Sequence, residues 1–221
     1  MRMLREGVVI REKIEILGVT RDADGITIKI SENETEEYVK GSDLLVVSGR
    51  VPDLADLNLD VAGIEYTERG IKVDDRLRTS NKKVFAIGDA VGSFPFTHSA
   101  SYHAGVVIRN ALFGLPAKVN YSALPRVTYT DPELAHVGLT ERQAREKYSA
   151  IRVLRHPFSE NDRARTEGEV DGLAKIITTT KGVVVGASIV GTRAGELIQL
   201  WILPIKNKMK IGTIAGLIIP Y

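Results

Sequence analysis

The chain has no cysteine among its 221 residues. That excludes disulfides, a thiolate nucleophile and any zinc site built on sulfur. Nor does it carry an excess of one charge: 30 Lys plus Arg stand against 28 Asp plus Glu, a formal net charge of +2 with the signs interspersed. So even a balance gives no electrostatic drive toward nucleic acid or an acidic membrane surface. No apolar run reaches the length that a bilayer crossing needs, and the opening MRMLREG lacks the apolar core of a signal peptide. The expectation is a soluble, cytoplasmic chain. Also missing is any G-x-G-x-x-G after a strand, the turn that ordinarily seats a dinucleotide pyrophosphate on a helix N-terminus.

What is present suffices for a folded core. With 43% hydrophobic and 26% charged residues, the chain fits one large domain or parts of two, without disordered stretches. Its organising stretch is Thr79 to Ala90, TSNKKVFAIGDA. Val84 to Ile87 reads as a short buried strand. Gly88 and Asp89 close it with a residue that lets a ligand approach the backbone and a carboxylate that can accept a sugar hydroxyl. Gly-Asp also closes ordinary strands as a turn, so the pair needs its neighbours to mean more.

Those neighbours are SGRVPD at Ser48 to Asp53, FTHSASYHAG at Phe96 to Gly105, YTDPELAHVGLTERQA at Tyr129 to Ala144, NDRA at Asn161 to Ala164 and AGELIQ at Ala194 to Gln199. In this order and spacing they resemble the C-terminal half of the FAD-dependent pyridine nucleotide-disulfide oxidoreductases, the family of dihydrolipoamide dehydrogenase, glutathione reductase and mercuric reductase. The resemblance covers nearly the whole chain. It implies a fold of α/β plus α+β type: a partial FAD/NAD(P)-binding Rossmann-like region, then an α+β interface domain with an antiparallel sheet. Both glycine-rich turns and the redox-active cysteine pair of the family would precede Met1, so the chain reads as a fragment.

Along the chain, residues 1–51 are expected to form the tail of the NAD(P)H-binding domain. Ile14 and Ile16, then Ile26, Ile28 and Ile30, alternate with polar residues around the turn dipeptide Asp24-Gly25, and a third strand at Glu37 to Lys40 and an apolar run at Asp43 to Val47 follow. The resemblance implies that Gly49 and Arg50 lie near the nicotinamide nucleotide; a plain Gly-Arg turn before Pro52 is the competing reading.

Residues 52–121 are expected to form the returning segment of the FAD domain. Ile71 to Asp74 reads as another short strand. A helix should begin near Thr97 or His98, with Ala100, Ala104, Val107, Ile108 and Ala111 at helical spacing and a stop at Gly114 and Pro116. The unpaired N–H groups of such a helix start suit the flavin pyrimidine edge, where negative charge collects on reduction. The resemblance assigns Gly88, Asp89 and Thr97 to FAD. His98 joins them or is a structural residue; His103 reads as structural.

Residues 122–221 read as an α+β domain matching the interface through which the family forms homodimers, cut short at its C-terminus. Strands are expected at Arg126 to Tyr129 and Leu134 to Val137 around Asp131-Pro132. A capping box at Thr140 to Gln143 opens a helix to about Tyr148, and Ile151 to His156 forms the next strand. Leu173 to Thr178 and Val183 to Val190 form a hairpin about Lys181-Gly182. A helix from about Ala194 places Leu197, Ile198 and Trp201 on one side and is expected to kink or end near Ile202 ahead of Pro204. NDRA reads as the family's turn or as a solvated turn, and Glu196 as a structural helix residue.

The chain ends in Ile218-Ile219-Pro220-Tyr221. Where dihydrolipoamide dehydrogenases place an acid/base histidine, Tyr221 stands. Tyrosine titrates near pH 10 (about) and is a poor proton shuttle for a thiol. The resemblance therefore points toward mercuric reductases and their relatives, with packing at the chain end as the alternative. The function implied is electron transfer from NAD(P)H through FAD to a disulfide, dithiol or thiolate-bound metal. Two rivals stand beside it: a non-catalytic dimerisation module, and a cysteine-poor flavin oxidase or ferredoxin-reductase relative, against which the TDPE and AGELIQ segments argue.

Overall fold

The computed structural model describes residues 2–219. It has mixed α/β content with antiparallel sheets, and its contacts divide it into two compact units, Met1–Arg50 and Val51–Tyr221.

The first unit opens with one helical turn, α1 (Arg2–Arg5), and is otherwise a meander of β1 (Glu15–Asp22), β2 (Gly25–Glu32) and β3 (Thr35–Gly41), antiparallel in the order β1-β2-β3. Asp22 pairs with Gly25 across the first turn, where the Asp22 carboxylate accepts the Asp24 amide at 2.9 Å. The second turn puts Asn33 and Glu34 both in the left-handed region, the two-residue geometry whose twist matches paired strands. Of this sheet only Ile30 is buried, and all of β1 and β3 is exposed. The apolar run Asp43 to Val47 forms no strand: Leu45 and Val47 are 82% and 78% exposed. A strand exists only by hydrogen-bonding a neighbour, and among the described residues none flanks this run.

In the second unit, residues 54–91 wrap a small core of Leu59, Ile64, Ile71 and Ala86. The Ser80 hydroxyl donates to the Gly63 carbonyl at 2.7 Å and accepts the Glu65 amide at 2.9 Å, and the Asn81 amide group donates to the Ala62 carbonyl at 2.9 Å, stitching the two sides together. The expected strand at Ile71 to Asp74 reduces to a two-residue ladder of β4 (Tyr66–Thr67) and β5 (Gly70–Ile71). Val84 to Ile87 is not a strand either. It holds one isolated bridge, Arg78 to Phe85, Ala86 alone is buried, and Ile87 is 40% exposed. Its pairing with residues 77–79, the Thr79 amide on the Val84 carbonyl at 3.0 Å and the Ala86 amide on the Leu77 carbonyl at 3.2 Å, makes a bridge and no longer ladder.

Helix α2 (Thr97–Ala111) starts where the sequence placed it, but buries a different face. Ser99, His103 and Val106 are wholly buried, whereas Ile108 is 47% exposed and Ala111 faces solvent. Polar partners on one side decide this face, not the apolar period.

The remaining chain builds a five-stranded antiparallel sheet from β6 (Arg126–Thr128), β7 (Glu133–Gly138), β8 (Ile151–Pro157), β9 (Leu173–Thr179) and β10 (Val184–Gly191), in the order β6-β7-β10-β9-β8. The Asp131-Pro132 peptide between β6 and β7 is cis. Helix α3 (Glu141–Lys147) has its capping box as expected, Thr140 accepting the Gln143 amide and Gln143 accepting the Thr140 amide. It covers Ile177 and Val185 on one face of the sheet, while α5 (Ala194–Leu197) and α6 (Gln199–Lys206) cover Ala135, Val137, Ala187 and Ile189 on the other. A last short helix, α7 (Ile211–Ala215), follows.

Two further expectations need correction. NDRA is a helix start: the Asn161 side chain accepts the Ala164 amide at 2.9 Å and caps α4 (Asp162–Glu167). Pro204 does not end its helix, which runs on to Lys206 with the proline inside and buried. The carbonyl that loses a donor is that of Leu200, and burial of the ring offsets the missing bond.

Candidate functional site

The Gly88-Asp89 turn sits directly on the first turns of α2. Gly88 is buried with φ +61, a conformation that a side chain strains, and a Cβ there would lie 3.0 Å from the Ala100 Cβ. Residues 88–91 form a short 3-10 turn, closed by the Gly92 amide on the Asp89 carbonyl at 2.9 Å. Gly92 itself packs so tightly on Arg69 that a Cβ would collide with that residue's carbonyl.

One histidine holds turn and helix together. The Gly88 amide donates to His103 Nδ1 at 3.0 Å, and His103 Nε2 lies 2.7 Å from the Tyr121 hydroxyl. Since Nδ1 receives a proton donor, the ring is neutral and carries its own proton on Nε2, which donates to Tyr121. Burial lowers the His103 pKa and agrees with that tautomer; burial, then Tyr102, raises the Tyr121 phenol. Around Tyr121 cluster Phe94 at 4.7 Å and Tyr102 at 6.4 Å between ring centroids, and Arg126 stands over the Phe94 ring at 5.2 Å.

The sequence-derived residues divide as follows. Asp89 and Thr97 are both exposed, one on the turn and the other the first residue of α2. Phe96, before the helix, supplies no side-chain cap, so the first α2 amides remain available to an acceptor. His98 is exposed, stacks on Phe96 at 5.1 Å, and donates from Nε2 to the Pro125 carbonyl at 3.0 Å. Gly49 and Arg50 lie in the other compact unit, Gly49 with φ +146 and open space about it. Tyr221 lies outside the described residues.

Sequence reading missed Tyr121 and Ser99. The Ser99 hydroxyl, in the first turn of α2, is wholly buried and has no hydrogen-bond partner among the described residues. Ser99, His103 and Val106, at the four- and three-residue spacing of one helix face, were the available signal. An orphaned hydroxyl, uncapped helix amides and a glycine that brings backbone against the helix together fit one edge of a bound flavin.

Two clefts border the region. A larger one of about 570 Å³ is lined by Arg69, Lys72, Asp74, Ser93 and Tyr121 among others. A smaller one of about 260 Å³ is lined by His98, Tyr102, Tyr121, Ile202 and Lys206 among others. Asp89 and Thr97 border neither. In the larger cleft, burial would raise the Asp74 carboxyl, but hydrogen bonds from the Arg78 side chain at 2.9 Å and the Arg76 and Arg78 amides outweigh it and hold the pKa below the ordinary carboxylate value.

Comparison with known proteins adds the following. The model of the pyridine nucleotide-disulphide oxidoreductases matches residues 1–104, and the model of their dimerisation domain matches residues 124–221. The chain is 38% identical over 200 residues to the dihydrolipoyl dehydrogenase of Bacillus subtilis (strain 168), covering 90% of this chain and 42% of that protein. It is 35% identical over 205 residues to the mercuric reductase of Bacillus cereus, covering 92% of this chain and 32% of that protein. Among solved structures, LpdA from Mycobacterium tuberculosis superimposes with a TM-score of 0.90 at 25% identity, over 100% of this chain and 48% of that one. The HOCl-induced flavoprotein disulfide reductase RclA from Escherichia coli gives 0.86 at 26% identity, over 100% and 51%. The chain thus spans about half or less of the length of the proteins it matches.

Proposed function

The chain belongs to the pyridine nucleotide-disulphide oxidoreductase family, and we propose that it supplies one edge of an FAD site and the homodimer interface of a flavoprotein passing electrons from NAD(P)H to a disulfide, dithiol or thiolate-bound metal. The observation that carries this reading is the Gly88-Asp89 turn locked onto the uncapped start of α2 through His103. Bound there, a flavin would take electrons from the nicotinamide and hand them to the substrate.

The chain's own residues would do the holding. Asp89 would accept a ribityl hydroxyl, Gly88 would let backbone approach, and the α2 amides at Thr97 and His98 would face the pyrimidine edge, where their partial positive charge favours the reduced ring. Gly49 and Arg50 would lie along the nicotinamide nucleotide, and Tyr221 would line the substrate path. The division is into residues 1–51, 52–121 and 122–221, the last forming the dimer, in a cytoplasmic enzyme. That no described helix is long and apolar enough to cross a membrane accords with this.

The test is flavin retention. In the full-length protein, Asp89→Ala should release FAD on gel filtration while Lys83→Ala, on an exposed turn, retains it. Equal retention by both would sink the assignment of Asp89. A chain that dimerises but takes up no flavin, whatever is joined to it, would favour the alternative, a dimerisation module, for which the absence of cysteine and of a glycine-rich turn speaks.

A further inference from the structure

On the face of the five-stranded sheet away from α5 and α6, polar side chains line up in register. Arg126 on β6 pairs with His136 on β7, His136 with Ser188 on β10, and Ser188 with Lys175 on β9. The alternating residues Ala135, Val137, Ala187 and Ile189 fill the core, so the period of two turns His136 and Ser188 to the opposite, half-buried face.

His136 Nδ1 and Ser188 Oγ are 2.9 Å apart, and His136 Nε2 is 3.0 Å from the Gly138 carbonyl oxygen. A carbonyl can only accept, so Nε2 carries the ring proton; Nδ1 is left with its lone pair, and the Ser188 hydroxyl donates to it. A hydroxyl, a base aimed at it and a third group fixing the base's tautomer make up the arrangement of an activated nucleophile.

We propose that Ser188 is an acyl-accepting nucleophile with His136 as its base, taking acyl groups from small activated donors such as aryl esters, acyl phosphates and thioesters. This stands independently of any flavin chemistry. Ser188 Oγ bonds to the acyl carbon while its proton passes to His136 Nδ1. The bond from acyl carbon to leaving group breaks, and the leaving group takes the proton from Nδ1. The products are O-acyl Ser188, the protonated leaving group and a neutral imidazole, with no change of oxidation state. Lys175 and Arg126, on either side, favour negative charge on the attacked carbonyl oxygen. Glu141 of α3 shares its carboxylate between Lys175 at 3.5 Å, Arg145 at 2.7 Å and Arg155 at 3.1 Å, which leaves the surroundings net positive. Neither of these two clefts borders the half-buried pair, so donors should be selected by reactivity and not by chain length.

Burial, then Arg126 and Lys175, lower the His136 pKa against the opposing pull of the Gly138 and Ala187 carbonyls. The base should therefore stay unprotonated below the pH at which an ordinary histidine charges.

The experiment treats the full chain with p-nitrophenyl acetate and maps acetyl groups by peptide mass spectrometry. The expected result is a hydroxylamine-labile acetyl group on Ser188, lost in Ser188→Ala. Its formation should be slowed about 100-fold or more in His136→Gln and restored to His136→Ala by added imidazole. Acetylation of surface lysines should be equal in all variants and serves as the internal standard. No acetyl on Ser188, or an equal rate at Ser188 without the imidazole, overturns the proposal.

Discussion

The backbone amide of Gly88 and the imidazole of His103, fifteen residues apart in sequence, share a 3.0 Å hydrogen bond that fixes both the turn and the tautomer of the ring. Removing the acceptor leaves a buried amide unsatisfied, which costs about 1–3 kcal/mol. His103→Leu is therefore expected to destabilise the second unit by at least that amount in urea unfolding. His103→Gln, which can still accept from Gly88 and donate to Tyr121, should recover part of the loss.

The same histidine predicts a pH dependence. Burial depresses its folded pKa below the unfolded value of about 6.5. The unfolded chain then binds a proton before the folded one does, so stability is fully present above about pH 6.5 and is lost as pH falls toward the folded pKa. Melting temperatures recorded from neutral to mildly acidic pH should fall in the wild type and fall less in His103→Gln. His136 is shifted in the same direction and leaves a residual slope.

Helix α3 depends on its cap. Thr140→Ala removes the acceptor of the Gln143 amide and should lower stability by about 1 kcal/mol. Asn161→Ala at the start of α4 is the matched case. Denaturant midpoints of the two variants should shift by similar amounts with unchanged slope.

Gly92 has no room for a side chain. With φ +72 and the Arg69 carbonyl against it, Gly92→Ala should cost about 2 kcal/mol or more and loosen the loop after Asp89. Hydrogen exchange at the Gly92 amide, which bonds to the Asp89 carbonyl, should speed up.

For the dimer, sedimentation of the chain at micromolar concentration should show a species of twice the chain mass. Leu203, 62% exposed on α6, and Leu200, 45% exposed, leave apolar surface that a second copy can cover. A monomer at that concentration would count against residues 122–221 as the interface. This chain alone is also expected to be colourless, since it carries neither glycine-rich turn.

The second half of the chain was the more legible because its signals are local. The Thr140 and Gln143 capping box and the Lys181-Gly182 turn of the β9–β10 hairpin each decide their own neighbourhood. The Val84 to Ile87 and Asp43 to Val47 runs misled for the opposite reason, since strand formation rests on a neighbour that an apolar run cannot specify. The buried face of α2 escaped in part because its bonds are made by His103, whose partners Gly88 and Tyr121 are distant in sequence, and because Ser99, a residue that periodicity assigns to solvent, is buried beside it. Pro204 was misjudged because its own burial, a tertiary term, overrides the local cost of a lost helix bond. The Gly88-Asp89 turn packs on the start of α2, which the sequence also placed at Thr97, while Tyr121, which completes the link, lies eighteen residues beyond His103, too far for a local pattern to connect them.

The order β6-β7-β10-β9-β8 puts at the centre the strand that is made last. During synthesis the β6–β7 pair and the β8–β9 pair can each form first, but they remain two separate ribbons until the ribosome has delivered the chain as far as Gly191. Until then β7 and β9 each present a bare edge to solvent, so a nascent chain stalled before that point would be a natural target for chaperones and for pairing with its neighbours on the same message.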